Sequence, residues 1–291
     1  MLNRKLVLAL TVSLVMLYLP PAQAGDLPKI NRPGKTLLFV YPNSGEKGGY
    51  EYGGEMYEDI KNPPTFTAPV SQYPGIYKTW FEAMGVKVQM VIDRKGFETA
   101  FKNRNFDCLT ITYHGFVDTS WLTGFVKNQG NELKSYVENG GTLVLVAGRD
   151  REELPLAALF GLKVTEKPFD VVDLPDVKNK AKYAVTLREN TPFSRGVARV
   201  DTTKGDASFV EYGYLLPLPG WVEITGVSIT DWPGKEHPVL VAGKLGKGKI
   251  VLTTCEINNP DNLGFNILNK TPDIPELFQL WVNIFNYLSA N

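Results

Sequence analysis

The amino-acid sequence predicts an α/β domain built on a mainly parallel sheet, with an antiparallel excursion inserted in its second half. Three observations carry that expectation. Residues 36–41, 108–113 and 142–147 are short, largely apolar runs, as in strands covered on both faces. Helix-like segments stand between such runs, and repeated strand and helix argue for parallel order. The alternation then breaks down across residues 163–227, where Pro168, Pro175, Pro192, Pro217 and Pro219 punctuate short strand-like pieces.

The chain opens with a basic head, Arg4 and Lys5, followed by residues 6–19, which are apolar apart from Thr11 and Ser13. Pro20-Pro21-Ala22-Gln23-Ala24 ends in a small-x-small pattern, so residues 1–24 read as a secretory signal cleaved after Ala24. An apolar run of about 14 residues falls short of the roughly 20 that a spanning helix needs, which favours removal over anchoring. The expected location is therefore exported, periplasmic or extracellular, with no stable membrane span after cleavage. Residues 25–34, with Pro28 and Pro33, read as a linker, and 35–291 as one domain.

Within that domain, 36–41 is the first core strand. Residues 43–72 follow, rich in Gly, Tyr and Pro and too long for an ordinary connection, which makes them a candidate site loop. Its aromatic residues Tyr50, Tyr52, Tyr57 and Phe66, with Tyr73 just beyond, can stack on sugar rings or a partner peptide, or simply pack the loop. Residues 76–84 read as a helix closed by Gly85, 86–92 as a strand, 96–103 as a helix and 108–113 as a strand. Leu133, Tyr136 and Val137 mark one face of the next helix, which Gly140-Gly141 ends before the strand at 142–147. Residues 152–160 read as a helix. The excursion at 163–227 holds strand-like pieces at 183–187 and 207–210. Residues 237–245 and 249–254 form a hairpin around Gly246-Lys247-Gly248. Ile274, Leu277, Trp281, Ile284 and Leu288 recur at helical spacing, with Asp273 and Glu276 read as a cap and its third-position partner.

Composition removes several function classes. Acidic and basic residues balance at 31 each, with no basic block or acidic tail, so no nucleic-acid surface is expected. Cys108 precedes one strand and Cys255 ends another, which in a parallel sheet sets them at opposite edges as two separate thiols. The two histidines, His114 and His237, give no dense ligand set; His237 precedes Pro238 in a hairpin rather than at a cleft edge. No metal or cofactor is expected.

Three stretches in this order resemble the class I glutamine amidotransferase-like superfamily, especially its ThuA-like and exported branches. They are residues 133–144 (LKSYVENGGTLV), 190–197 (NTPFSRGV), and Pro238-Val239-Leu240-Val241 with Gly246-Lys247-Gly248-Lys249-Ile250-Val251. The resemblance implies a flavodoxin-like sheet with helices on both faces. Members that hydrolyse glutamine place a cysteine on a turn after the strand that here ends at Ala147, and pair it with a histidine and a glutamate after a late strand. Here the turn reads Gly148-Arg149-Asp150, so Arg149 holds the nucleophile position, and Thr254-Cys255-Glu256 offers Glu256 without the histidine. A guanidinium cannot attack a carbonyl, so cysteine-dependent glutaminase activity is not expected.

Ligands in such sheets bind at the carboxyl ends of the strands. The candidate site residues are therefore Asn43, His114, Arg149, Asp150 and Glu256. His114 is a candidate ligand or base, or a plain hydrogen-bonding residue. Arg149 offers a planar fork to a carboxylate or sugar, or pairs with Asp150 or Glu153 at the surface. Two functions follow as expectations: a non-catalytic binding or scaffold domain for a carbohydrate or protein ligand, and a hydrolase or carbohydrate-processing enzyme using His114, Asp150 and Glu256 as candidate catalytic groups.

Overall fold

The three apolar runs become neighbouring central strands, because only there can both of their faces be covered. The computed structural model describes residues 27–32, 34–40, 50–52, 55–57, 73–91, 94–112, 120–146, 158–164, 183–200, 215–216, 218–229, 237–253, 265–266, 271–272 and 274–290. Among them a nine-stranded sheet organises the chain. Its strands are β1 (Thr36–Val40), β2 (Lys87–Val91), β3 (Cys108–Thr112), β4 (Thr142–Val146), β5 (Tyr183–Leu187), β6 (Arg199–Val200), β7 (Val222–Ile229), β8 (His237–Leu245) and β9 (Gly248–Thr253). They lie in the order β2-β1-β3-β4-β9-β8-β7-β5-β6. From β2 to β9 every pairing is parallel, and from β9 to β6 every pairing is antiparallel. This is a flavodoxin-like α/β fold, and the antiparallel pieces extend its sheet as a wing.

Among the described residues four helices cover the sheet: α1 (Tyr73–Ala83), α2 (Arg94–Asn103), α3 (Ser120–Glu138) and α4 (Pro275–Ser289). Strand side chains alternate between two cores, as the two-residue period of a strand requires. In β4, Leu143 and Leu145 join Phe97, Phe101, Leu133 and Val137 of α2 and α3. Val144 and Val146 instead join Trp80 and Phe81 of α1 and Trp281 and Phe285 of α4. The expected helices on both faces are thus present. On the α1/α4 side the rings meet edge to face, Trp80 on Trp281 at 5.7 Å and 82°, Phe81 on Trp281 at 5.4 Å and 79°, a geometry that favours the ring quadrupoles.

Glycine sets two of the joints. Gly140, at φ +110, ends α3, and its N–H donates to the Val137 carbonyl. Gly246, at φ +60, opens the two-residue loop between Leu245 and Gly248, where a hairpin needs a positive φ.

Several expectations need correction. The cap of α4 is Ile274, with Pro275 at the first helical position and no side-chain cap bond. Proline's fixed φ favours that first position, which shifts the start one residue beyond the expected Asp273 cap. Helix α3 begins at Ser120, well before the Leu133 face that announces it. Of the expected helix at 152–160 only residues 158–160 are described, and the piece at 207–210 lies outside the described residues. No helix among the described residues is long and apolar enough to cross a membrane.

Candidate functional site

The parallel half of the sheet fixes where its connecting segments leave. Val40 stands beside Ile111, Thr112 beside Val146, and Val146 beside Thr253. The carboxyl ends of β1, β3, β4 and β9 therefore form one continuous edge, about 15 Å long at the ordinary strand spacing. Asn43 follows Val40 by three residues, His114 follows Thr112 by two, Arg149 and Asp150 follow Val146 by three and four, and Glu256 follows Thr253 by three. All five candidate residues, and Cys255, lie outside the described residues. What the structure does supply is the edge they leave from.

The register corrects the placement of His237. Strand β8 runs antiparallel to β9, and Leu240 is already level with Thr253, the last residue of β9. His237, three residues earlier on β8, thus projects past the end of β9 at the carboxyl edge, where it pairs in register with Val227 of β7. Sequence patterning recognises the two strands but does not say which end of the hairpin meets which end of the parallel strands. The reversal at Gly246 carries that information, because it returns the amino end of β8 to the carboxyl end of β9.

Cys108 stands at the other edge. It is the first residue of β3, four residues or about 13 Å from that strand's carboxyl end. Its thiol is buried, and burial pushes its pKa up to about 12. A thiol held neutral in this way is no nucleophile. Among the described residues Cys108 is a free cysteine.

The stretch 190–197, one of the three that carry the family resemblance, has a packing role. Asn190 adopts φ +61 and Gly196 φ +74, which folds the segment so that Phe193 is fully buried. The Asn283 side chain on α4 donates to the Phe193 carbonyl at 2.7 Å and to the Arg195 carbonyl at 2.9 Å, and accepts from Gln279. The antiparallel wing is thereby tied to α4.

The long segment after β1 contains a small hairpin. Tyr50–Tyr52 pairs antiparallel with Glu55–Tyr57, with Tyr50 opposite Tyr57 and Tyr52 opposite Glu55. Among the described residues, no group of three or more His, Cys, Asp or Glu side chains comes together to hold a metal ion.

In sequence, the chain matches no family model and no curated protein. Its fold is similar to that of the cytoplasmic protein STM1381 from Salmonella typhimurium LT2, with a TM-score of 0.52 at 10% identity over 88% of this chain and 100% of that one. It is also similar to the cytoplasmic protein STM3548 from Salmonella typhimurium, with a TM-score of 0.50 at 11% identity over 88% and 100% of the two chains. Identity this low shows a shared fold and nothing more. A β-galactosidase from Rahnella sp. R3 aligns with a TM-score of 0.44 at 11% identity over 89% of this chain and 32% of that one, which is too loose to bear on function.

Proposed function

We propose that this chain is an exported glutamine amidotransferase-like domain that binds a carbohydrate at the carboxyl edge of its parallel strands and has no thiol-based catalysis. The observation that carries the reading is the strand order β1-β3-β4-β9, all parallel. It sends the segments bearing Asn43, His114, Arg149 and Glu256 out from one edge, with His237 added from β8. Arg149 stands where the family's hydrolases carry their cysteine, and the one described cysteine is buried at the far edge. The guanidinium at that turn offers paired donors to sugar hydroxyls or a uronate, and Tyr50, Tyr52 and Tyr57 in the segment after β1 supply aromatic rings of the kind that pyranose rings stack on. Export is supported by the signal-like first 24 residues.

The test is titration of the chain from Gly25 onward against a panel of neutral and acidic oligosaccharides by calorimetry. The expected result is saturable binding of at least one class, weakened about tenfold or more in Arg149→Ala, with Tyr52→Ala showing a separate loss. Failure of every oligosaccharide, with capture of a peptide ligand that Arg149→Ala does not weaken, would overturn the reading. Export is checked by amino-terminal sequencing of the secreted product. It should begin at Gly25, and a product beginning at Met1 contradicts it.

A further inference from the structure

The Gly246-Lys247-Gly248-Lys249 turn, which the sequence marks as a hairpin and as part of the family resemblance, stands at the opposite edge of the sheet from the proposed carbohydrate site. A hollow of about 590 Å³ lies there, between the first residues of β1, β3 and β4, the β8–β9 turn and the end of α4. Five cationic residues line it, Arg32, Lys35, Lys244, Lys247 and Lys249, against one carboxylate among the described residues, Asp107. In a chain whose charges balance at 31 each, that is a local excess.

Three of the five are engaged by the protein. Lys35 pairs with Asp107 at 2.8 Å. The Arg32 guanidinium donates to the Ser289 carbonyl, and the Lys249 ammonium donates to the carbonyls of Tyr287 and Ala290. Cations at the carboxyl end of α4 are explained by that helix's exposed carbonyls and dipole. Lys244 and Lys247 have no such explanation. Both are exposed, and neither has an ion-pair partner among the described residues.

Their placement works against the fold. Lys244 lies directly opposite Lys249 in the β8–β9 register, and like charges in that relation repel. Burial and then the Lys244 charge hold the Lys249 ammonium below the ordinary lysine range. The turn is also fixed in place. The Lys247 N–H donates to the Glu138 carbonyl at 2.9 Å, the Lys249 N–H to the Gly141 carbonyl at 3.2 Å, and a side chain at Gly248 would collide with the Val137 carbonyl. Unneutralised lysines on a rigid turn above a hollow break a local rule with no gain inside the chain, which is where function is to be sought.

We propose that this hollow binds a phosphate-bearing anion with two or more negative charges, with Lys244 and Lys247 as its free donors and Lys249 as a third cation. Ammonium heads act as compact point charges with three donors each, suited to tetrahedral phosphate oxygens. A preset turn limits the entropy lost when the anion docks. The site is separate from the carboxyl edge and stands whether or not that edge binds sugar.

Calorimetric titration of the chain from Gly25 onward with inorganic pyrophosphate tests it directly. One-site saturable binding is expected, weakening as salt rises. Lys244→Gln and Lys247→Gln should each weaken it about fivefold, and the double variant about twentyfold, from up to about a factor of five per exposed charge pair. Lys95→Gln on α2 should leave it unchanged. A parallel arm uses vesicles containing phosphatidic acid, with phosphatidylcholine vesicles as the blank. Binding to pyrophosphate assigns a soluble ligand, whereas binding only to the phosphatidic acid vesicles, lost in the double variant, assigns the same chemistry to a lipid headgroup. Because it removes the repulsion with Lys249, Lys244→Gln should also raise the melting temperature of the ligand-free chain. The proposal is overturned by no saturable binding in either arm, by binding indifferent to the double variant, or by a melting temperature that falls in Lys244→Gln.

Discussion

Replacing Gly248 with alanine probes the joint between the parallel half of the sheet and its antiparallel wing. A Cβ built there would stand 2.0 Å from the Val137 carbonyl oxygen and 2.3 Å from that of Gly141, both backbone atoms that cannot rotate away. Carbon and oxygen ordinarily approach no closer than about 3.3 Å, so the turn must retreat by about 1 Å. That retreat takes with it the bonds from Lys247 N–H to Glu138 and from Lys249 N–H to Gly141. Each is worth about 1 kcal/mol net, and overpacking adds about 1–3 kcal/mol. Alanine restores about 0.5–1 kcal/mol by restricting the unfolded chain. The balance is a loss of about 3 kcal/mol, a fall of about 6–12 °C in melting temperature for a chain of this size. Gly124 is the control. It sits in α3 with nothing within 4 Å of a built Cβ, so Gly124→Ala should raise stability by about 0.5–1 kcal/mol. Thermal melting by circular dichroism and urea unfolding measure both. A Gly248→Ala midpoint within about 1 °C of the parent would refute the claim that the turn is wedged against α3.

Two further substitutions follow the same reasoning. Asn283→Ala orphans the carbonyls of Phe193 and Arg195 at a position only 3% exposed; urea unfolding should show a loss of about 2–4 kcal/mol, and a loss below about 0.5 kcal/mol would contradict the tie between wing and α4. Asp107 carries a pH signature. Burial raises its carboxyl pKa, but the bonds from Lys35 and the Thr36 N–H and the Lys35 charge outweigh burial and leave it lowered. A lowered folded pKa stabilises above the unfolded value and stops doing so as pH falls through the folded one. With both partners 41% exposed, screening holds the effect to about 0.5 kcal/mol. Asp107→Asn should therefore be slightly less stable than the parent near neutrality and indistinguishable from it at acidic pH, and a gap that widens on acidification would reverse the sign.

Much of the scaffold was legible because it depends on local pattern. The run Thr-Leu-Val-Leu-Val of β4 announces a strand buried on both faces, and the structure divides its four apolar residues between two cores. The β8–β9 hairpin was equally plain from its glycine loop. The amino-terminal half of α3 was not, because Gly124, Asn128, Gln129 and Gly130 dilute its apolar stripe until tertiary packing decides. The edge at which His237 stands is not readable from sequence, because periodicity reports a strand but not its direction relative to distant strands. Pro275 displaced the expected Asp273 cap through a one-residue preference that outweighs the acidic pattern. For the candidate site, chain order reads off which residues follow each strand. That β1, β3, β4 and β9 are adjacent is a long-range fact that no local pattern contains.

We propose an edge that holds a ligand and performs no thiol-based chemistry. Its most direct test is a turnover measurement on glutamine, simple amides, esters and glycosides with the parent chain, Cys255→Ser and His114→Ala side by side. Rates should stay at the uncatalysed background for all three proteins on every substrate. Hydrolysis by the parent that disappears in Cys255→Ser would reveal a working thiol and contradict the proposed binding role.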